Sequence, residues 1–118
     1  MNRDKKFLDT IVKGIQEKKG QDIVVADLTA IDDTICNYFI VCQGNSPSQV
    51  KAIADSVDIF AKRIGEDLIG IDGFNNAEWI AMDFANVIVH IFLPEFREFY
   101  DIENLWEDAK LTEIPNLD

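Results

Sequence analysis

NYFIVCQGNSPSQVKAIADSVDIFAKRIG, residues 37–65, decides the architecture. Its first seven residues include the aromatic and β-branched run 38–41 and are apolar on both faces at 38–42, which predicts a central strand. Gly44-Asn45 breaks that strand, and Ser46-Pro47-Ser48-Gln49 opens a helix. Ser46 is placed to cap the first amides, Pro47 suits the first helical position, and Gln49 can reach back to close a capping box. Val50, Ile53, Ala54, Val57, Phe60, Ala61 and Ile64 then recur at helical spacing, and Gly65 ends the helix.

Upstream, residues 4–19 form an amphipathic helix with Phe7, Leu8, Ile11, Val12 and Ile15 on one face and Gly20 as its stop. Residues 23–28 read as a strand and 30–34 as a polar connection. Downstream, 67–71 is a short strand and 72–76 a turn, and 78–83 with 86–93 form a hairpin. Placing its turn at Phe84-Ala85 pairs Asp83 with Asn86, Ala81 with Ile88 and Trp79 with His90. Ala85 suits a primed turn poorly, so a looser loop is the alternative. Pro94 closes the last strand, 95–100 and 101–110 read as short helical segments, and 111–118 has no clear periodicity. The order α-β-β-α-β-β-β-α predicts an α+β fold, a mixed five-stranded sheet with packed helices. Residues 1–110 form a single domain and 111–118 a C-terminal tail.

The chain has 118 residues, enough to bury roughly two-thirds of its unfolded surface. No apolar run reaches the ~18 residues of a membrane span and no signal peptide opens the sequence, so a soluble cytoplasmic protein is expected. The net charge of −11 argues against broad binding to DNA, RNA or anionic membrane. Residues 1–65 carry nine basic and nine acidic groups, whereas 66–118 carry two basic and thirteen acidic. The imbalance therefore lies wholly in the second part, as a solubilising surface or as an acidic face for a basic partner.

Cys36 and Cys42 lie on one side of a strand, roughly 20 Å apart at ~3.3 Å per residue, too far to bridge and best read as small core fillers. With a single histidine and no CxxC pair, no zinc site is expected. His90 sits in an apolar run, where a structural hydrogen-bonding role is the plainer reading. The Gly44–Ser46 entrance to a helix favours anions in principle, yet lacks the spacing of a P-loop or a dinucleotide fingerprint. Asp32-Asp33 are adjacent acids that usually diverge into solvent rather than grip a cation. Trp79 shares a strand face with Asp83, His90 and Phe92. Two readings stand for it, a core tryptophan with its N–H satisfied or the anchor of a protein-binding face. Phe96, Phe99, Tyr100 and Trp106 are read as docking the terminal helices on the sheet, since only Arg97 and Lys110 nearby can contact phosphate.

Residues 37–56, NYFIVCQGNSPSQVKAIADS, and 77–106, AEWIAMDFANVIVHIFLPEFREFYDIENLW, resemble the ribosomal silencing factor family (RsfS, Iojap-like), with 21–28, QDIVVADL, as lead-in. The motifs GNSxxQV, the EW–D hairpin and the PEFREFYDIENLW ending occur in family order. The resemblance implies a nucleotidyltransferase-like fold without transferase activity. It also implies binding to the large ribosomal subunit through its L14-type ribosomal protein. It further implies that this binding blocks small-subunit joining and represses translation in stationary phase or starvation. It places Trp79, and with it Asp83, on the protein-binding surface; His90 and Phe92 follow from the strand pairing. It makes a homodimer an expected state, and implies no cofactor, metal or catalytic residue. Asn37, Ala85 and Leu93 depart from the family's usual Asp, Gly and His; Asn37 and Leu93 weaken a carboxylate–histidine constellation, and Ala85 bears on the hairpin turn. The alternative, a nucleotide-binding or nucleotidyltransferase enzyme, requires an Asp-x-Asp pair near Gly44–Ser46, and none is present.

Overall fold

A computed structural model of the chain describes residues 3–32, 34 and 36–117. The elements follow the order α1 (Arg3–Glu17), β1 (Gln21–Asp27), β2 (Tyr38–Gln43), α2 (Pro47–Arg63), β3 (Gly70–Asp72), β4 (Trp79–Asp83), β5 (Val87–Phe92), α3 (Pro94–Tyr100), a 3-10 turn (Ile102–Asn104) and β6 (Lys110–Ile114). The strands form one mixed sheet in the order β3-β4-β5-β2-β1-β6. Only β2 and β5 run parallel, and this central pair is the most apolar, as expected for strands covered on both faces.

Helices α1 and α2 cover one face. Phe7, Ile11 and Ile15 of α1 and Val50, Ile53, Val57 and Ala61 of α2 pack against Ile40, Cys42, Ile80, Met82, Val89 and Ile91. The helices approach closely at Gly14, where an added Cβ would stand 3.2 Å from Val57 Cα. There the buried Ser56 hydroxyl donates to the Gly14 carbonyl at 2.7 Å. Ser46 caps α2 as expected, its Oγ accepting from the Gln49 N–H at 3.1 Å. Gln49 returns one bond through Oε1 to the Asn45 N–H at 2.7 Å. Its amide nitrogen donates to the Lys18 and Lys19 carbonyls, fastening the end of α1 to the start of α2. The left-handed residue after α1 is Lys19 (φ 60), not Gly20. Gly20 serves close packing instead, since a Cβ there would lie 2.3 Å from Ile15 Cγ2.

The opposite face is covered by the C-terminal segment. Trp106 and Ala109 pack on the cluster of Ala26, Leu28, Cys36 and Phe39, while Phe96 and Trp79 pack on Val41, Phe92 and Ile102. Cys36 and Cys42 are buried free thiols. Desolvation pushes Cys42 up to about 12 and Cys36 up to about 11, so both stay protonated as core fillers.

Three expectations change. The sheet has six strands rather than five, because Lys110–Ile114 pairs antiparallel with β1, from Asp27↔Lys110 to Ile23↔Ile114. Four of its five side chains are exposed, so the backbone ladder holds this edge strand without an apolar alternation to betray it. Within 101–110 only Ile102–Asn104 turns, as a 3-10 turn, and no α-helix forms, since Asp101 at φ 46 ends α3 and redirects the chain. In the hairpin, Asp83 pairs with Ile88, Ala81 with His90 and Trp79 with Phe92. The turn is Ala85-Asn86, closed by the Phe84 N–H to the Val87 carbonyl. Phe84 leaves the turn to pack edge-on against Phe7. Asp83 Oδ1 accepts from the Ala85 N–H at 2.7 Å, and Ala85 takes φ 73. The slip is two residues, so every side chain keeps its face.

Candidate functional site

Trp79, Asp83, His90 and Phe92 all lie on the sheet face turned away from α1 and α2. The preserved parity of the hairpin brings them together as the sequence indicates. Trp79 is partly exposed and rests on Phe92, ring centroids 5.0 Å apart and nearly parallel. Its indole N–H donates to His90 Nδ1 at 3.0 Å. An indole can only donate, so His90 is neutral, with its proton on Nε2. Burial pushes the imidazole down to about 4, and Nε2 is itself buried without a hydrogen-bond partner. Phe39 packs edge-on against the same ring at 4.8 Å. His90 and Phe92 thus support Trp79 from below, being 7% and 0% exposed, while Trp79 and Asp83 retain accessible surface.

The segment from α3 through the 3-10 turn straps this face. Phe96 and Trp106 dock inward as expected, Trp106 against Phe39 at 5.1 Å. Phe99 and Tyr100 do not: they are 78% and 46% exposed, and Leu105 is 61% exposed. Tyr100 lies 4.8 Å from the Trp79 ring and carries Phe99 edge-on at 5.0 Å. An apolar ridge therefore continues from Trp79 outward, among Glu95, Glu98, Asp101, Glu107 and Asp108, all exposed. Single-sequence reading missed the ridge because i, i+4 spacing within so short a helix does not reveal which aromatics turn inward. The co-occurrence of six large apolar side chains with six carboxylates in 94–109 was the available signal.

The other candidates do not assemble. Arg97 holds Glu103 through Nε and Nη2 at 3.0 and 2.8 Å, so its guanidinium does not face outward toward phosphate. At the α2 entrance the amides of Gly44, Asn45, Gln49 and Val50 are satisfied by Phe92, Gln49 and Ser46. Asp32 is exposed and Asp33 lies outside the described residues. Among the described residues no group of three His, Cys, Asp or Glu side chains is placed to hold a metal ion. No helix among them is long and apolar enough to cross a membrane.

Residues 2–118 match the family model described as "Ribosomal silencing factor during starvation". The ribosomal silencing factor RsfS of Chromobacterium violaceum is 37% identical over 99 residues, covering 84% of this chain and 80% of that protein. A more distant relative, mouse "Mitochondrial assembly of ribosomal large subunit protein 1", is 26% identical, covering 84% of this chain and 44% of its own. A crystal structure of a Chromobacterium violaceum protein superposes with a TM-score of 0.83 at 33% identity, covering 95% of this chain and 92% of that one. Sequence and fold agree along almost the whole chain, which belongs to the ribosomal silencing factor family.

Proposed function

We propose that this protein docks on the large ribosomal subunit through its L14-type ribosomal protein and sterically prevents the small subunit from joining, repressing translation in stationary phase or starvation. One observation carries the reading: Trp79 stands partly exposed at the root of the Phe99–Tyr100 ridge, amid carboxylates. Aromatic anchors of this kind commonly dominate protein interfaces, and the acidic flank complements a basic protein surface rather than RNA. The action is occupancy, with no bond made or broken. Cytoplasmic location and a homodimer remain compatible with this mechanism, which requires neither a cofactor nor a metal.

Co-sedimentation with isolated large and small subunits tests it. The protein is expected to follow the large subunit and to stop joining, and Trp79→Ala to lose about 2–4 kcal/mol of binding while staying folded by circular dichroism. Undiminished binding by that variant would sink the anchor role. Binding of a nucleoside triphosphate with Mg²⁺ would instead favour the nucleotidyltransferase alternative, against which the self-capped α2 entrance already argues.

A further inference from the structure

Arg97 joins four separate parts of the fold. From α3, its Nε and Nη2 grip both carboxylate oxygens of Glu103 in the 3-10 turn. Its Nη1 donates to the Asp22 carbonyl of β1 at 2.6 Å and to Gln43 Oε1 at the end of β2 at 3.2 Å. The pair is largely withdrawn from solvent, with side chains 11% and 15% exposed. Between the two partners run Phe99, Tyr100 and the left-handed Asp101. Helix α3 contains no buried residue, and Phe96 is its half-buried apolar contact with the sheet face. Phe96 and the buried Ile102 seat the strap on the sheet, and the guanidinium adds a polar fastening at both ends of the bend.

Resting on the docking reading above, we infer that Arg97 is a positioning residue for ribosome binding: its clamp on Glu103, Asp22 and Gln43 sets the Phe99–Tyr100 ridge against Trp79 in the form a basic protein partner meets. Arg97 itself need touch no partner atom. It is the only base in 94–109, and its charge is matched by Glu103, so the five other carboxylates of the strap leave the outer surface acidic. Lysine cannot replace it, because a single ammonium lacks the planar fork that spans a carboxylate and two further acceptors.

The test titrates large-subunit binding by full-length variants in a Trp106→Phe background, where Trp79 is the sole indole. Arg97→Lys is expected to unfold cooperatively yet bind at least about tenfold more weakly, within the range of coupled neighbours. Its Trp79 emission should shift as Tyr100 leaves the ring. In a Phe99→Ala/Tyr100→Ala background the same substitution should add less than about twofold, because its effect passes through the ridge. Glu103→Gln should repeat the pattern more mildly and serves if the lysine variant fails to fold. Arg97→Lys binding like the parent while Trp79→Ala loses binding would overturn the positioning role and leave the docking reading intact. An undiminished loss in the ridge-less background, or unchanged Trp79 emission, would also overturn it. Full binding by both Trp79→Ala and the ridge-less variant would remove the docking reading and this inference together.

Discussion

The Trp79–His90 pair makes stability depend on pH in a predictable direction. Burial holds His90 at about 4 in the folded protein, against an ordinary 6.5. As pH falls, the unfolded chain takes up this proton first, so the folded state loses ground between the two values. Above pH ~6.5 the contribution is complete, and it is withdrawn as pH drops toward ~4. Each unit is worth ~1.4 kcal/mol, so moving from about pH 7.5 to about pH 5 removes about 2 kcal/mol. The geometry demands this sign, because a protonated Nδ1 would present a second donor to the indole N–H at 3.0 Å. The assay is urea unfolding across that pH range for the parent and His90→Asn, whose Oδ1 still accepts from Trp79 without titrating. The variant should start about 2 kcal/mol lower from lost ring packing and show a flatter pH profile. Carboxylates common to both proteins cancel in the difference. Equal slopes for parent and variant would refute the buried neutral imidazole.

Other expectations concern backbone, thiols and charge. Gly73→Ala should destabilise by at least about 2 kcal/mol, because Gly73 sits at φ 80 and a Cβ would stand 2.1 Å from the Trp79 carbonyl oxygen. Gly70→Ala should be nearly neutral in the same thermal-unfolding series, since a Cβ there meets nothing within 4 Å. Cys36 and Cys42 should resist alkylation in the native protein at about pH 8 and react readily in urea; native labelling of Cys42 would contradict its complete burial and raised value. Raising salt should weaken large-subunit binding moderately by slowing encounter, and complete insensitivity would argue against an acidic docking face.

Much of the scaffold was readable because its signals are local. The Ser46 cap, Pro47 and the apolar recurrence of 50–64 each constrain α2 within one or two turns, and α2 forms there. The double-sided apolarity of 38–42 likewise located β2 at the centre of the sheet. Strand β6 was illegible because its mostly exposed side chains carry no pattern, and it is placed by pairing with the distant edge of β1. The hairpin turn was misplaced for a related reason. Phe84 belongs to the core through Phe7, a partner 77 positions earlier, and that contact outweighs local turn preference.

The candidate site divides along the same line. Alternation along β4 and β5 suffices to put Trp79, Asp83, His90 and Phe92 on one face, since side-chain parity survives a two-residue slip. Likewise, the excess of carboxylates after residue 65 is a property of composition alone. Which of those four side chains a partner can reach depends on what lies above them. The αL bend at Asp101 and the Arg97 clamp lay the strap over the sheet, packing Ile102 and Phe96 on Phe92 and leaving Phe99, Tyr100 and Leu105 exposed. Sequence by itself determined helices α1 and α2, the central strands and the shared face, because short-range periodicity and capping govern them. Only the tertiary structure decided the sixth strand, the turn register and the exposed ridge, because each depends on contacts between residues far apart in the chain.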